Sequence, residues 1–374
     1  MTKQEPVNNK VRHVLGISGG KDSAALAIYL HDKYPHLDID FYFCETDKEL
    51  DETYKLIEQL EVYFGKKITK LKAAKDSPED QFDHFLKLYG GFLPSANARW
   101  CTRAMKLEPF ENYVGTDPTI SYVGIRGDED REGYISHKEN IQSIFPFRKN
   151  IWSSEIINNT LRNNNIESLK DICSQYVSKD KNISLLKILE TPLSFQYDQN
   201  RKLNDLLTVS ISNFNKIVFE YLKTTDYPIS MLEDFPLIEN EDVLVREDIF
   251  RILEQSGIGV PEYYKKLEFE IDGQKGFYSR SRSGCYFCFF QQKIEWVWLY
   301  ENHRELFEKA MSYEKDGYTW MQDEKLEDII KPERIRQIKL DQIKKAAKNS
   351  NSKSPFLIDI LQEAEGEGCA ACFI

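Results

Sequence analysis

Residues 14–23 read Val-Leu-Gly-Ile-Ser-Gly-Gly-Lys-Asp-Ser, and an apolar, helix-like segment follows them. This order predicts a buried strand, a tight glycine turn and a helix. Gly19 and Gly20 have no Cβ atoms, so backbone N–H groups in the turn can approach an anion, and the helix directs its positive dipole end at the same point. Lys21 adds a cation, and Ser23 can cap the helix or touch phosphate. The stretch therefore predicts a nucleotide-binding loop, with an ordinary turn between a strand and a helix as the alternative.

Strand-like and helix-like segments alternate around this loop. The strand-like segments are 14–17, 39–44, 68–71 and 120–125, and the helix-like segments are 23–33, 51–64, 78–89 and 102–113. This alternation predicts an α/β fold, with a parallel twisted sheet covered by helices on both faces. Ligands of such sheets bind beyond the carboxyl ends of the strands, where both Ser18 and Thr46 fall.

The chain of 374 residues is long enough to bury a full core. We expect four segments along it. They are a nucleotide-binding α/β domain at 1–150, an Asn-rich helical insertion at 151–230, a Cys-x-x-Cys segment that completes the core at 231–315, and a helical region with a cysteine-bearing tail at 316–374.

Composition restricts where the protein acts and what it binds. The sequence has neither a secretory leader nor an apolar run near the ~20 residues of a membrane span, so we expect a cytoplasmic protein without membrane contact. The net charge of −11 argues against broad affinity for nucleic acid. The segment 331–353 is an exception with a local charge of +6, eight basic against two acidic residues, and is either a solvated helix face or a nucleic-acid contact.

The cysteines favour metal or redox chemistry over disulfides, because their number is odd and four of them form two Cys-x-x-Cys pairs. The seven are Cys44, Cys101, Cys173, Cys285, Cys288, Cys369 and Cys372. Cys44 ends an apolar run and is most simply a buried strand residue, and no motif surrounds Cys173.

The segment Ser-Gly-Gly-Lys-Asp-Ser resembles the PP-loop of ATP pyrophosphatases, which cleave ATP between the α and β phosphates and leave AMP on a substrate atom. It is not a Walker A loop, which requires Gly-x-x-x-x-Gly-Lys-Ser/Thr. The resemblance implies that ATP is bound by the six residues of the loop, namely Ser18, Gly19, Gly20, Lys21, Asp22 and Ser23.

Further segments resemble the phosphoadenosine-phosphosulfate reductase family and the related DndC-type ATPases of DNA phosphorothioation. These segments, in family order, are 45–54, 99–109, 124–131 and 282–288, and the similarity extends over 12–145 and 234–314. The resemblance implies a HUP-like fold, nucleotide contacts from Thr46 and Arg126, and ATP bound with Mg²⁺. It also implies catalytic roles for Lys21, Asp22, Arg126 and Arg131, although either arginine can instead form a salt bridge within its own loop.

Two departures from the family are informative. Assimilatory sulfonucleotide reductases have paired cysteines where this chain has Cys101 followed by Thr102, which favours ATP over phosphoadenosine phosphosulfate. DndC-type proteins place another cysteine soon after the Cys-x-x-Cys pair, whereas here the next one is Cys369. The resemblance thus implies a [4Fe–4S] cluster with three protein ligands, Cys101, Cys285 and Cys288, and a structural Zn²⁺ site is the alternative.

The tail cysteines Cys369 and Cys372 stand sixth and third from the end, so they do not form a prenylation signal. Sulfonucleotide reductases carry a reactive cysteine on their C-terminal tail, and this tail is similar in position. We expect it to carry persulfide, resolve a disulfide or cap the cluster, with a tail of no chemical role as the alternative.

The resemblance implies ATP-dependent sulfur transfer, in which ATP adenylates a DNA phosphate or another nucleic-acid group, pyrophosphate leaves, and sulfur arrives through the cysteine site. It also implies a complex with a cysteine desulfurase or another sulfur donor, in which partner subunits hold the nucleic acid. One alternative is a sulfonucleotide reductase whose nucleophile is Cys369 or Cys372. The other is a nucleotide-sensing subunit of an antiviral defence complex.

Overall fold

The structure is a computed structural model that describes residues 10–351 except 130, 134 and 316. Cys369 and Cys372 lie outside the described residues, so their expected roles stay predictions.

Five parallel strands form a sheet in the order β3-β2-β1-β4-β5. Their bounds are β1 Arg12–Gly16, β2 Ile39–Cys44, β3 Thr69–Leu71, β4 Thr119–Tyr122 and β5 Ile141–Ile144. Arg12 of β1 is opposite Thr119 of β4, and Cys44 of β2 is opposite Leu71 of β3. Strand order reverses at β1, so the loops after β1 and β4 begin at a topological switch point. The expected α/β fold is confirmed.

Helices follow the first strands, as the alternating pattern predicts. They are α1 Lys21–Lys33, α2 Asp51–Phe64, α3 Gln81–Leu88, α4 Trp100–Thr102 and α5 Glu108–Val114, with the π-helical turn Arg103–Leu107 between α4 and α5. The predicted bounds of β2 and α2 are correct, whereas α1 begins at Lys21, two residues before the predicted start. Strand β5 was not predicted, because the buried polar residues Gln142 and Ser143 interrupt its apolar pattern.

Helices also occupy the Asn-rich stretch that follows. They are α6 Ser154–Thr160, α7 Ile166–Tyr176, α8 Lys179–Glu190, α9 Gln199–Val209 and α10 Ile211–Leu222. The side chains of Ser153, Asp198 and Ser210 accept hydrogen bonds from backbone N–H groups in the first turns of α6, α9 and α10. Such N-caps satisfy donors that the helices leave unpaired, which explains where these three begin.

The remaining described chain contains a hairpin and the expected C-terminal helices. Its elements are α11 Arg246–Gln255, β6 Leu267–Ile271, β7 Gln274–Tyr278, α12 Lys293–Asn302, α13 Arg304–Ser312, α14 Leu326–Ile329 and α15 Pro332–Asn351. The sequence reading missed the β6–β7 hairpin, although Asp272-Gly273 is a typical two-residue turn and both residues have positive φ. Among the described residues no helix is long and apolar enough to cross a membrane.

The described residues divide into two compact units. The first comprises 10–16, 25–41 and 114–249, and the second comprises 17–24, 42–113 and 250–351. An aromatic cluster lies in the core of the second unit, where the ring of Phe287 is 4.4 Å from that of Phe82 and 4.7 Å from that of Trp320. Close aromatic packing of this kind holds its backbone firmly. Because Phe287 lies between Cys285 and Cys288 in the sequence, the cluster fixes the position of the Cys-x-x-Cys segment.

Candidate active site

The glycine loop that follows β1 is packed too tightly for side chains at its two glycines. Gly19 has a φ of +74°, and a Cβ atom there would lie 2.2 Å from the Cγ2 atom of Thr53. A Cβ atom on Gly20 would lie 2.6 Å from the Oγ atom of Ser283. Gly19 is therefore favoured both by its backbone angle and by its close contact with Thr53, whereas a side chain at Gly20 would displace the hydroxyl of Ser283.

Ser23 closes this loop. Its Oγ atom accepts a hydrogen bond from the N–H group of Ser18 at 3.1 Å, lies 3.0 Å from the Oγ atom of Ser18, and donates to the carbonyl of Gly20 at 3.2 Å. Because α1 begins at Lys21, Ser23 lies inside the first turn and is not the N-cap residue that the sequence suggested. It instead fixes the conformation of residues 18–20.

The two charged residues of the loop are buried together. Lys21 and Asp22 are 3% and 4% exposed, and the Nζ atom of Lys21 lies 3.1 Å from the Oδ2 atom of Asp22. A buried charge needs partners, and this pair places a cation and a carboxylate at the N-terminus of α1, where helix N–H groups also favour an anion.

Two adjacent tyrosines hold the loop from a distant part of the sequence. The hydroxyl of Tyr263 donates to the carbonyl of Gly19 at 2.6 Å. The hydroxyl of Tyr264 accepts from the N–H group of Lys21 at 3.3 Å, and its ring centroid is 5.1 Å from the Nζ atom of that lysine. Sequence reasoning gave these tyrosines no role, since no spacing relates them to a loop 244 residues away.

The three cysteines expected to act together line one cavity of about 40 Å³ in the second unit. Thr46 and Lys106 line the same cavity. Aromatic rings of the core cluster, those of Phe82, Phe287 and Trp320, complete its wall. The structure therefore brings Cys101, Cys285 and Cys288 to a single small space.

Thr46 connects one of these thiols with a buried carboxyl group. Its Oγ1 atom donates to the Oε1 atom of Glu49 at 2.8 Å and lies 3.3 Å from the Sγ atom of Cys285. The Sγ atom of Cys285 is 4.0 Å from the same carboxylate oxygen. Burial raises the pKa of Glu49 above its usual range. Sequence reasoning assigned Thr46 to the nucleotide and missed Glu49, whose charged type gives no sign of burial.

Burial also decides the protonation of the thiols. It raises the pKa of Cys101 to about 12, with the neighbouring Cys288 adding to the increase and Lys106 opposing it. Burial raises the pKa of Cys285 well above its ordinary value, and Glu49 adds to the increase. At neutral pH both sulfurs are therefore thiols, whereas the thiolate is the form that attacks electrophiles and binds metals.

The cavity was tested for the expected cluster or zinc ion. Three cysteine sulfurs are a suitable donor set for either. The space of about 40 Å³, however, corresponds to one or two water molecules. No group of three or more His, Cys, Asp or Glu side chains among the described residues is arranged to hold a metal ion. The residues as placed do not fit a [4Fe–4S] cluster or a structural zinc site, and no chemical step is derived through either.

The two candidate arginines lie in the loop after β4, in the first unit. The guanidinium of Arg126 is 1% exposed and bonds Asp128 at 3.0 Å and Glu129 at 2.8 Å. The Nε atom of Arg131 lies 3.3 Å from the other carboxylate oxygen of Glu129. Both arginines thus form salt bridges within their own loop, which was the alternative left open by the sequence.

Comparison with known proteins gives partial matches. The model of the phosphoadenosine phosphosulfate reductase domain matches residues 12–170. An uncharacterized protein of Methanocaldococcus jannaschii is 34% identical over 154 residues, which are 38% of this chain and 29% of that protein. The tRNA-specific 2-thiouridylase MnmA of Mannheimia succiniciproducens is 26% identical over 172 residues, which are 37% of this chain and 43% of the enzyme.

The chain thus spans less than half the length of these relatives. No solved structure matches the chain. The domain match includes the glycine loop, Thr46 and Cys101, whereas Cys285 and Cys288 lie beyond it. Residues 12–170, which are less than half of the chain, are therefore similar to the phosphoadenosine phosphosulfate reductase domain.

Proposed function

We propose that the protein is an ATP pyrophosphatase that activates an acceptor by adenylation and replaces the activated oxygen with sulfur. The observation that carries this proposal is the occurrence, in one compact unit, of a buried glycine loop at a helix N-terminus and a cavity lined by three thiols. The similarity to a tRNA 2-thiouridylase supports the same chemistry, since that enzyme is named for the addition of sulfur.

In the activation step, an oxygen of the acceptor attacks the α-phosphorus of ATP. A P–O bond forms, the bond between the α and β phosphates breaks, and pyrophosphate leaves. The backbone N–H groups at Gly19 and Gly20 and the dipole of α1 favour the negative charge that develops. Lys21 adds a buried cation, while Mg²⁺ that arrives with ATP neutralises charge on the phosphates.

In the sulfur step, a persulfide on one of the three cysteines attacks the adenylated atom through its terminal sulfur, and AMP leaves. A second cysteine then loses its proton to solvent and attacks, as the thiolate, the cysteine-bound sulfur of the resulting disulfide. The product leaves with the terminal sulfur, and the two cysteines form a disulfide. An external thiol restores them. The hydroxyl of Thr46 and the carboxyl group of Glu49 adjoin Cys285, where they orient its S–H group.

We further propose that the protein carries out DndC-type chemistry. The segments that resemble that family support a nucleic-acid phosphate or base as the acceptor, and a cysteine desulfurase as the source of persulfide in a multi-subunit complex. Cys369 and Cys372 are proposed to carry the persulfide to the cavity thiols.

A sulfonucleotide reductase is a second candidate, and the matched domain model favours it. In that reaction Cys369 or Cys372 attacks the sulfur of phosphoadenosine phosphosulfate and no pyrophosphate is made. The two functions therefore differ in their substrate and in their released product.

The decisive experiment incubates the full chain with ATP or with phosphoadenosine phosphosulfate and measures pyrophosphate and sulfite. We expect pyrophosphate from ATP, stimulated by nucleic acid, and its loss in Asp22→Ala. Sulfite release with no pyrophosphate would assign the chain to the reductases. Deletion of residues 366–374 should abolish sulfur transfer while pyrophosphate release continues.

A further inference from the structure

A cleft of about 860 Å³ in the second unit adjoins the thiol cavity. Phe289 and Trp320 line both spaces. The cleft extends along α15, through Arg334, Ile338 and Lys345, and past the start of α12. A ligand in the cleft would therefore lie against the wall of the space that holds Cys101, Cys285 and Cys288.

Basic side chains surround this cleft in a protein that is acidic overall. Lys344 and Lys345 line it, are exposed, and form no ion pair with any described residue. Lys293 and Arg334 also line it but are bound to the carboxylate of Glu324, so they contribute less net charge. Of the basic run 331–353, Arg334, Lys344 and Lys345 thus line one concave surface, with Asp341 as the acidic residue of the run beside them. Basic side chains on a concave surface are typical of contacts with a phosphate backbone.

Two aromatic side chains, Phe289 and Phe290, also line the cleft. Phe290 lines the cleft, and its ring centroid is 4.9 Å from the guanidinium carbon of Arg99 and 5.7 Å from that of Arg282. The ring of Phe289 lies 4.4 Å from that of Phe290. Such surfaces stack on nucleobases without regard to sequence.

One buried polar group in the cleft wall lacks a partner. Gln291 is 5% exposed, and its Nε2 atom donates to the carbonyl of Tyr286 at 2.8 Å. Its Oε1 atom has no hydrogen-bond partner among the described residues. An unpaired buried acceptor costs free energy.

We infer that this cleft binds a single-stranded segment of nucleic acid, with phosphates against Lys344 and Lys345 and a base stacked on Phe290. The inference deepens the proposed function and rests on it for the identity of the atom that receives sulfur. It also assigns nucleic-acid contact to this chain itself, whereas the sequence led us to expect that partner subunits supply it.

The test is fluorescence anisotropy of labelled single-stranded oligonucleotides, DNA and RNA in separate arms, with the full chain. For the wild type we expect a dissociation constant of about 1 to 100 µM near physiological salt. The double variant Lys344→Ala/Lys345→Ala should lower the slope of log affinity against log salt by about 1.4, because each phosphate contact on a single strand contributes about 0.7. The control double variant Lys66→Ala/Lys67→Ala follows α2, lies outside the cleft, and removes a lysine paired with Glu61 as well as its neighbour. It should keep the wild-type slope.

Stacking is tested separately. Phe290→Ala should weaken binding by roughly 5- to 100-fold, and Phe290→Trp, which keeps an aromatic plane, should restore it. Unfolding temperatures of all variants check that the fold is intact. The inference is overturned if the wild type binds neither oligonucleotide, if the control pair loses as much affinity as the cleft pair, or if polyglutamate competes as well as an oligonucleotide.

The binding assay needs no ATP, so its outcome is independent of the proposed reaction. Pyrophosphate release without oligonucleotide binding would reject the cleft and keep the function. Oligonucleotide binding that depends on Phe290, without pyrophosphate release, would keep the cleft and reject the proposed function.

Discussion

The Oγ1 atom of Thr46 lies 3.3 Å from the Sγ atom of Cys285, although 239 residues separate them in the sequence. The same hydroxyl donates to Glu49, so the loop after β2 and the Cys-x-x-Cys segment meet at one hydrogen-bonded group. This contact connects the strand end that was expected to touch nucleotide with the thiol cavity. We therefore propose that Thr46 acts in the sulfur step, and its expected contact with nucleotide stays a prediction.

Thr46→Val should reduce sulfur transfer by about tenfold or more while pyrophosphate release changes little, since the methyl group that replaces the hydroxyl cannot orient the thiol of Cys285. Thr46→Ser keeps the hydroxyl and should retain most sulfur transfer. Transfer of labelled sulfur and pyrophosphate release are measured on the same samples. Equal loss of both activities in Thr46→Val would return Thr46 to the nucleotide site.

Gly19→Ala should abolish pyrophosphate release, because the new methyl group would lie 2.2 Å from the Cγ2 atom of Thr53 and the backbone has a φ of +74°. The control is Gly65→Ala, where φ is +59° but no atom lies within 4 Å of the new Cβ. Its cost is backbone strain of about 1 kcal/mol, with release unchanged. The double variant Gly19→Ala/Thr53→Ser removes the clashing methyl group and should recover part of the activity. No recovery would mean that backbone strain, not the contact with Thr53, controls the loop.

Ser23→Ala should lower the rate of pyrophosphate release by about a hundredfold, because the loop loses the hydroxyl that fixes Ser18 and Gly20 and a shift of about 1 Å in a reacting group has that effect. Ser256→Ala is the matched control, since Ser256 also donates to a backbone carbonyl and accepts a backbone N–H group, at the end of α11. The rate of release and the unfolding temperature are measured for both. Similar rates in the two variants would contradict a special role for the loop serine.

Cys101 should react slowly with iodoacetamide at pH 8, about a thousandfold more slowly than an ordinary cysteine, because its pKa of about 12 leaves little thiolate. The sign follows from the raised pKa: the thiolate fraction increases about tenfold for each pH unit until the pH passes 12. An ordinary cysteine levels off above its pKa of about 8.5. Mass spectrometry of the Cys101 peptide measures the rate, and urea-unfolded protein provides the reference.

Metal analysis of anaerobically purified full chain accompanies this experiment. Two results would contradict the expectation that Cys101 is a protonated thiol. One is rapid alkylation of the folded protein at pH 8, and the other is stoichiometric iron and sulfide that are lost in Cys101→Ala. Such a result would return the three cysteines to the role of cluster ligands.

Much of the fold follows from local sequence patterns. An apolar run bounded by turns determines β2, and helical periodicity with acidic residues in the first turn determines α2. The β6–β7 hairpin also has a local signal in the sequence, the two-residue turn Asp272-Gly273. Strand β5 had no such local signal. Gln142 and Ser143 are polar residues that the surrounding structure buries, so the strand lacks an apolar pattern in the sequence.

The sequence by itself determined the parallel α/β sheet and the glycine loop, because each depends on residue type and short-range spacing. The grouping of Cys101 with Cys285 and Cys288 came from the family resemblance. Only the tertiary structure decided that Tyr263 holds Gly19, that Glu49 adjoins Cys285, and that burial raises the pKa of Cys101 and Cys285. Those properties arise from contacts between segments more than 200 residues apart and from the removal of water around charged groups. Short-range sequence patterns predict neither these contacts nor the removal of water, since burial and pKa depend on how the whole chain packs.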